Sequence, residues 1–199
     1  MNKIAGLIII LLIMASTICL ASPLTDYSLG KVSINVNFGT PSLTSNNWSS
    51  TANLNPSYNV TAGMGFGFAG QYIYNDFKPK TPNGIREIRA QQINLLTNQV
   101  NKFGNISAFI GESKTQIIGD IAKNGIVAGL VCTVPIMPNT HAYATVSTGT
   151  YVDSYEMGIG YTFAQNIELN LDYRNANYKG LTSDDITVKG PYGGLVYNF

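Results

Sequence analysis

Few residues of this 199-residue chain have the types and spacing that catalysis or metal binding requires. His141 is the only histidine, no GxSxG motif occurs, and no group of histidine, cysteine and carboxylate residues has the spacing of metal ligands. Gly63, Gly65 and Gly67 do not lead into a helix, as a phosphate-binding loop does, so close strand packing explains them better. The sequence therefore predicts no enzyme, no cofactor and no metal site.

Charged residues recur instead on one face of two neighbouring segments. Residues 155–163 and 167–174 alternate apolar and polar side chains, which is typical of half-buried β-strands. A three-residue turn between the two segments sets Phe163 opposite Ile167. The polar face then carries four charged residues: Glu156, Glu168, Asp172 and Arg174.

The same register pairs opposite charges across the hairpin. Glu156 lies opposite Arg174, and Asp172 lies opposite Gly158. Paired inner charges favour a small barrel whose lumen is filled by side chains. The alternative is a ring of charges that selects ions in a pore. We interpret these residues as a lumen charge network that fills the barrel.

The composition of the chain limits the class of protein in which these charges can lie. Charged residues make up 12 % of the chain, about half the roughly 25 % of soluble domains, while hydrophobic residues make up 45 %. Such a chain is too apolar for disorder and too weakly charged for a typical cytosolic surface. A net charge of +1 without a basic run argues against nucleic-acid binding.

The first 21 residues have the order of a secretory signal peptide. One basic residue precedes an apolar run at residues 4–14, and small residues follow up to Ala21, where we place the cleavage. A retained membrane anchor is the alternative. Cleavage leaves one domain, residues 22–199, with Cys132 as its single cysteine, so no internal disulfide is expected.

Alternation of apolar and polar residues predicts ten strands along this domain. Residues 85–100 also fit a helical stripe; we interpret them as a strand, and eight strands remain the alternative if this segment lies outside the wall. Longer and shorter connections alternate between the strands, as in up-and-down membrane barrels. The predicted strands are 31–38, 58–64, 68–77, 88–98, 106–113, 126–134, 141–148, 155–163, 167–174 and 186–199.

The apolar face of these strands is predicted to meet lipid. The polar face consists mainly of glycine, serine, threonine and asparagine, whereas a soluble sandwich exposes many lysines and glutamates. Strands of about ten residues span a bilayer when tilted by about 45°, and a closed barrel leaves no unpaired edge in hydrocarbon. The 12 tyrosines and 8 phenylalanines suit the two interfaces. The predicted fold class is all-β: an up-and-down antiparallel transmembrane β-barrel.

The C-terminal segment, Tyr-Gly-Gly-Leu-Val-Tyr-Asn-Phe, resembles the terminal strand signal of bacterial outer-membrane β-barrels. Gly194, Tyr197 and Phe199 match that signal. The resemblance implies location in the bacterial outer membrane and insertion by the assembly machinery that recognises this strand. If Phe199 and every second residue before it face lipid, then Lys189 also faces lipid. Either a bulge at Gly190-Pro191 reverses the phase, or Lys189 lies above the hydrocarbon.

The expected function is that of an integral outer-membrane barrel, with a structural or narrow passive-pore role and outer-membrane lipid as its environment. The first alternative is surface adhesion through the polar loop at residues 39–56. Trp48 is its contact candidate, unless this side chain anchors the loop. The second alternative is a soluble secreted β-sandwich binding module, which Asn-x-Ser/Thr sequons at Asn47, Asn59 and Asn105 leave open.

Overall fold

The computed structural model describes residues 24–80, 87–101 and 104–199. The predicted signal peptide lies outside these residues. Within them, no helix is long and apolar enough to cross a membrane.

Twelve strands make up the described fold, and ten of them close into an antiparallel barrel. Nine neighbouring pairs follow one another in the order β1, β4, β5 and onward to β12, and β1 also pairs with β12, so the wall has no free edge. The strands are β1 Val32–Gly39, β2 Ser42–Ser45, β3 Trp48–Thr51, β4 Asn55–Gly65, β5 Phe68–Phe77, β6 Ile88–Asn101, β7 Gly104–Ile117, β8 Lys123–Met137, β9 Thr140–Gly149, β10 Val152–Ala164, β11 Ile167–Tyr178 and β12 Ile186–Asn198.

This architecture confirms the predicted ten-stranded antiparallel barrel and rules out the two-sheet sandwich. The ambiguous segment is a strand over its described part, since β6 pairs with both β5 and β7 along its length. The helical preference of this segment is overridden because the edges of β5 and β7 require a hydrogen-bonding partner.

The two extra strands lie within residues 39–56, which the sequence predicted as a loop. There β2 and β3 form a hairpin, and β2 pairs with the N-terminal part of β12. The hairpin therefore continues the wall past Pro41, which cannot donate a ladder hydrogen bond. Strands of four residues carry too short an alternation to be recognised in a sequence.

The two ends of the barrel differ in their connections. At one end, called the turn end, tight turns join β4 to β5, β8 to β9 and β10 to β11, and Asn139 and Asn166 adopt positive φ there. The other end, called the loop end, carries the β2–β3 hairpin and the 179–185 connection. The predicted long and short connections largely separate to opposite ends, but β9 and β10 are joined at the loop end by only two residues.

The predicted hairpin register is confirmed along β10 and β11. Glu156 pairs with Arg174, and Gly158 pairs with Asp172. The turn itself differs, because a register shift beside the positive-φ Asn166 makes Ala164, and not Phe163, the partner of Ile167. A residue in this conformation commonly accompanies a bulge in three-residue hairpin loops.

Side chains alternate across the wall, with apolar residues outside and polar residues inside. The inner face of β1 illustrates this pattern, because Ser33, Asn35 and Asn37 are buried there. The outer face exposes large apolar side chains that include Ile34, Phe38, Tyr58, Val60, Tyr72, Ile93, Leu95, Ile110, Leu130, Met157, Ile159, Leu171 and Leu195.

The alternation of inward and outward side chains continues unbroken along β12. The bulge that we considered at Gly190-Pro191 is therefore absent. The pairing of β12 with β11 runs without a register shift from Ile186 to Tyr197. Ile186 and Val188 consequently point inward and are buried, while Lys189 is exposed on the outside. Lys189 lies in the loop-end half of the strand.

Candidate functional site

The predicted lumen charges centre on Arg174, which projects inward from β11. Its Nε atom lies 2.7 Å from Oδ1 of Asp172 and 3.1 Å from Oε2 of Glu156. Its Nη2 group donates to Oδ2 of Asp172 at 3.1 Å, and its Nη1 group donates to Oγ of Ser57 at 2.7 Å. Every guanidinium nitrogen is therefore engaged by residues of the wall.

Further contacts compensate the burial of Asp172, whose side chain has no exposed surface. The amide groups of Asn37 and Asn170 donate to its Oδ2 atom at 3.5 and 3.4 Å. The guanidinium carbon of Arg174 lies 4.6 Å from the centre of the Tyr192 ring, a cation–π contact. A buried charge persists only where such partners replace water.

Glu168, the fourth predicted member, belongs to a different group. Its Oε1 atom lies 3.4 Å from Nε2 of His141, and neither side chain is exposed. Both residues directly follow tight turns, so this pair occupies the turn end of the lumen. The sequence predicted one network of four charges, whereas the structure brings together three and pairs the fourth with the single histidine.

A chamber of roughly 120 Å³, lined by both polar and apolar side chains, lies beside Arg174. A cavity of this size has room for several water molecules. Its wall is contributed by most of the strands and includes Asn35, Gln71, Gln92, Tyr143, Ser147, Glu156 and Arg174.

An apolar cluster closes the lumen at the loop end. This loop-end cluster consists of Leu43, Phe77, Ile88, Val152, Tyr178, Ile186 and Val188, each with less than 5 % of its surface exposed. Trp48 of the hairpin is half-buried and packs against it. This position agrees with the anchoring alternative for Trp48. This cluster was not predicted from the sequence, although the inward parity of Ile186 and Val188 on an unbroken β12 could have indicated it.

The N-terminal segment closes much of the turn end. This N-terminal plug, residues 24–31, precedes β1 and enters the lumen, where Leu24 and Tyr27 are buried. The Tyr27 hydroxyl donates to Oγ of Ser107 at 2.9 Å. Sequence analysis did not predict the plug, because residues 24–31 have no strand-like alternation.

A local turn shapes the plug before it reaches the wall. The Ser28 backbone N–H donates to Oδ1 of Asp26 at 3.0 Å. Hydrogen bonds from Ser28 lower the pKa of the Asp26 carboxyl group, so this turn is maintained with Asp26 ionised.

The three matched C-terminal residues occupy both faces of β12. Tyr197 and Phe199 lie exposed on the outer surface, with ring centroids 4.6 Å apart in an edge-to-face arrangement. Gly194 faces inward, where a Cβ atom would overlap the Asn37 side chain and the Val36 carbonyl group. Glycine is thus required at Gly194 for β12 to pair closely with β1.

Groups that could hold a metal ion do not occur among the described residues. In the same part of the chain, Cys132 is a free thiol on the outer surface.

These features define a class: the chain resembles small outer-membrane β-barrel proteins, with a closed antiparallel wall that is apolar outside and polar inside. One similar solved structure is that of neisserial surface protein A (NspA), with 9 % identity, coverage of 85 % of this chain and 99 % of that chain, and a TM-score of 0.50. At this level of identity the similarity shows the fold alone.

Two further solved structures align less closely. Ail, the attachment invasion locus protein of Yersinia pestis, has 8 % identity, covers 86 % of this chain and 99 % of its own, and gives a TM-score of 0.44. A major outer membrane protein from Thermus thermophilus has 11 % identity, coverage of 85 % of this chain and 98 % of its own, and a TM-score of 0.42. No family model and no curated protein sequence matches the chain.

Proposed function

We propose that this protein is an integral barrel of the bacterial outer membrane with a structural role and a lumen closed to solutes. The observation that carries the proposal is the combination of an apolar outer surface with a lumen blocked at several levels. Soluble monomers rarely expose a contiguous apolar patch of more than a few hundred Å². Here exposed Ile, Leu, Val, Tyr and Phe side chains surround the wall, which favours lipid as the surrounding solvent.

Aromatic residues near both ends of the wall support the same environment. Tyr58 and Tyr155 are exposed toward the loop end, and Tyr161 and Phe163 are exposed toward the turn end. Amphipathic rings at two levels suit the two boundaries of a bilayer.

Closure is supported by the chemistry around Arg174. In an ion-selective pore, charges face water and remain available to passing ions. The Arg174 guanidinium is instead held by Asp172, Glu156 and Ser57, and the buried apolar side chains of the loop-end cluster occupy the lumen beyond it. A filled lumen therefore has more support than the narrow passive pore.

Export and assembly form part of the proposal. Residues 1–21 would direct the chain across the inner membrane and be removed. Gly194, Tyr197 and Phe199 would then be recognised on β12 by the outer-membrane assembly machinery. Adhesion through residues 39–56 has less support, because Trp48 packs inward against the loop-end cluster.

The first test separates a membrane barrel from a soluble protein. We expect the protein to remain in the outer-membrane fraction after washing with salt and alkali. The folded barrel should migrate faster than the boiled chain on a denaturing gel. A freely soluble product without heat-dependent mobility would contradict the proposal.

The second test separates a filled lumen from a pore. Replacing Arg174 by Met leaves Asp172 and Glu156 without their cation, and we expect a loss of roughly 3–5 kcal/mol in unfolding free energy. Glu156→Gln should cost less, since Asp172 still pairs with Arg174. Urea unfolding in detergent micelles measures both losses, and single-channel recording should stay at its baseline.

The matched control is Arg89→Met, because Arg89 pairs with Glu87 while its own side chain is 44 % exposed. Such a surface pair contributes about 1 kcal/mol or less. Unchanged stability of Arg174→Met together with a new or enlarged conductance would favour the pore instead.

A further inference from the structure

We propose that the turn end of the lumen is a binding site for an extended peptide, which the chain occupies with its own N-terminal plug. This inference rests on the closed lumen proposed above. It adds a ligand class to the lumen: a peptide with a leucine and, three residues later, a tyrosine. The plug would keep other extended peptides out of the same site.

The first observation is a specific hydrogen-bonding site for the plug on β6 and β7. The carbonyl oxygen of Thr25 accepts hydrogen bonds from the side-chain amides of Asn98, at 2.6 Å, and Asn105, at 2.9 Å. Ser107 lies opposite Asn98 in the strand register, and its Oγ atom accepts a hydrogen bond from the Tyr27 hydroxyl. Two strands thus supply three side chains that fix one backbone carbonyl group and the phenol two residues later.

The second observation is a matching space on β4, which lies two strands from β6 in the wall. Gly63 of β4 faces inward, and a Cβ atom there would overlap the carbonyl oxygen of Ser28. The backbone N–H of Gly65 donates to the carbonyl oxygen of Tyr27 at 2.9 Å. The wall therefore approaches the backbone of the plug closely, as a peptide-binding groove does.

The third observation is that burial is concentrated in two side chains of the plug. Leu24 is 5 % exposed and Tyr27 is 3 % exposed, whereas Leu29 is 83 % exposed. Leu24 and Tyr27 thus act as anchors, and Leu29 lies on the exposed connection that leads to β1. This division is that of a docked peptide followed by a short tether.

The binding test uses a barrel that lacks residues 22–29 and a fluorescent peptide with the sequence of residues 22–31. We expect the peptide to bind this barrel in detergent micelles, with a rise in fluorescence anisotropy that saturates. The same peptide should not bind the intact barrel, whose site is occupied. A peptide carrying Tyr27→Ala should bind at least tenfold more weakly, because it lacks the buried ring and its hydrogen bond.

The barrel variant Asn98→Ala/Asn105→Ala provides the matched control in the wall. In the truncated barrel, this pair of substitutions should weaken binding of the unmodified peptide, since the Thr25 carbonyl group loses both donors. Equal binding by the two peptides, equal binding to intact and truncated barrels, or no binding to a folded truncated barrel would each overturn the inference.

A second form of the barrel covers the case in which the truncated chain does not fold. A protease site inserted after Gly30, in the exposed connection, allows the plug to be cut from a barrel that has already folded. We expect the cut plug to exchange with the fluorescent peptide, and failure to exchange in excess peptide would contradict a reversible site. These micelle assays do not depend on cellular location, so failure of the fractionation test would be a separate result.

Discussion

At the scale of single residues, two inward glycines of β10 explain how large side chains fit into the lumen. A Cβ atom at Gly160 would overlap both His141 and Glu168, and one at Gly158 would lie 2.7 Å from the Tyr143 ring. Glycine in a strand usually weakens it, because the residue offers no side chain for packing. Here the missing side chains give space to the buried pair on β9 and β11.

Replacing Gly160 by alanine should therefore destabilise the barrel. The added methyl group must displace His141 or Glu168, neither of which is exposed, and overpacking of this kind costs about 1–3 kcal/mol. Urea unfolding in micelles measures the loss. Gly70→Ala is the matched control, because its added Cβ atom would only reach ordinary contact with the Met64 sulfur at 3.8 Å. Equal effects at Gly160 and Gly70 would show that the space beside His141 is not needed.

At the scale of elements, strands that alternate over eight or more residues could be predicted from the sequence, and shorter elements could not. The register of β10 and β11 was predicted correctly away from the turn, because local alternation and a short turn together set Glu156 opposite Arg174. The β2–β3 hairpin was missed because its strands are short and β2 is held by its pairing with β12, which is distant in sequence. The N-terminal plug was missed for a related reason: the side chains of β6 and β7 that bind it are distant from it in sequence and come together only once the barrel has closed.

The hairpin is also held at its tip by the 179–185 connection. Asn46 and Asn47 donate from their side-chain amides to the two carboxylate oxygens of Asp184, at 3.0 and 3.3 Å. Asp184→Ala should free the tip, and loss of about 1 kcal/mol corresponds to a roughly fivefold larger open population. We expect proteolysis within residues 44–48 to accelerate by a similar factor, without a change in overall stability.

Asp185→Ala serves as the control for this experiment. Asp185 accepts from the Gly180 N–H and the Asn177 side chain, so its removal loosens the 179–185 connection without removing a hydrogen bond to the hairpin. Faster cleavage of residues 44–48 in Asp185→Ala than in Asp184→Ala would mean that the two amide contacts do not hold the tip.

At the scale of the whole molecule, the lumen consists of three levels with different chemistry. The N-terminal plug lies at the turn end, the chamber beside Arg174 lies in the middle, and the loop-end cluster lies beyond it. The plug is a separate segment, while the cluster is formed mostly by the wall itself. Removing the plug should consequently open the chamber from one side and leave the passage closed.

This asymmetry predicts opposite results for two measurements on the barrel without residues 22–29. Ion conductance should stay at baseline, because the loop-end cluster remains dry. In a Cys132→Ala background, a cysteine in place of Ser147, which lines the chamber, should react with a small thiol reagent at least tenfold faster than in the intact barrel. A cysteine in place of the exposed Ser49 should react equally fast in both barrels. Sustained ion conductance after plug removal would place the only barrier at the turn end, and unchanged labelling would mean that the plug does not close the chamber.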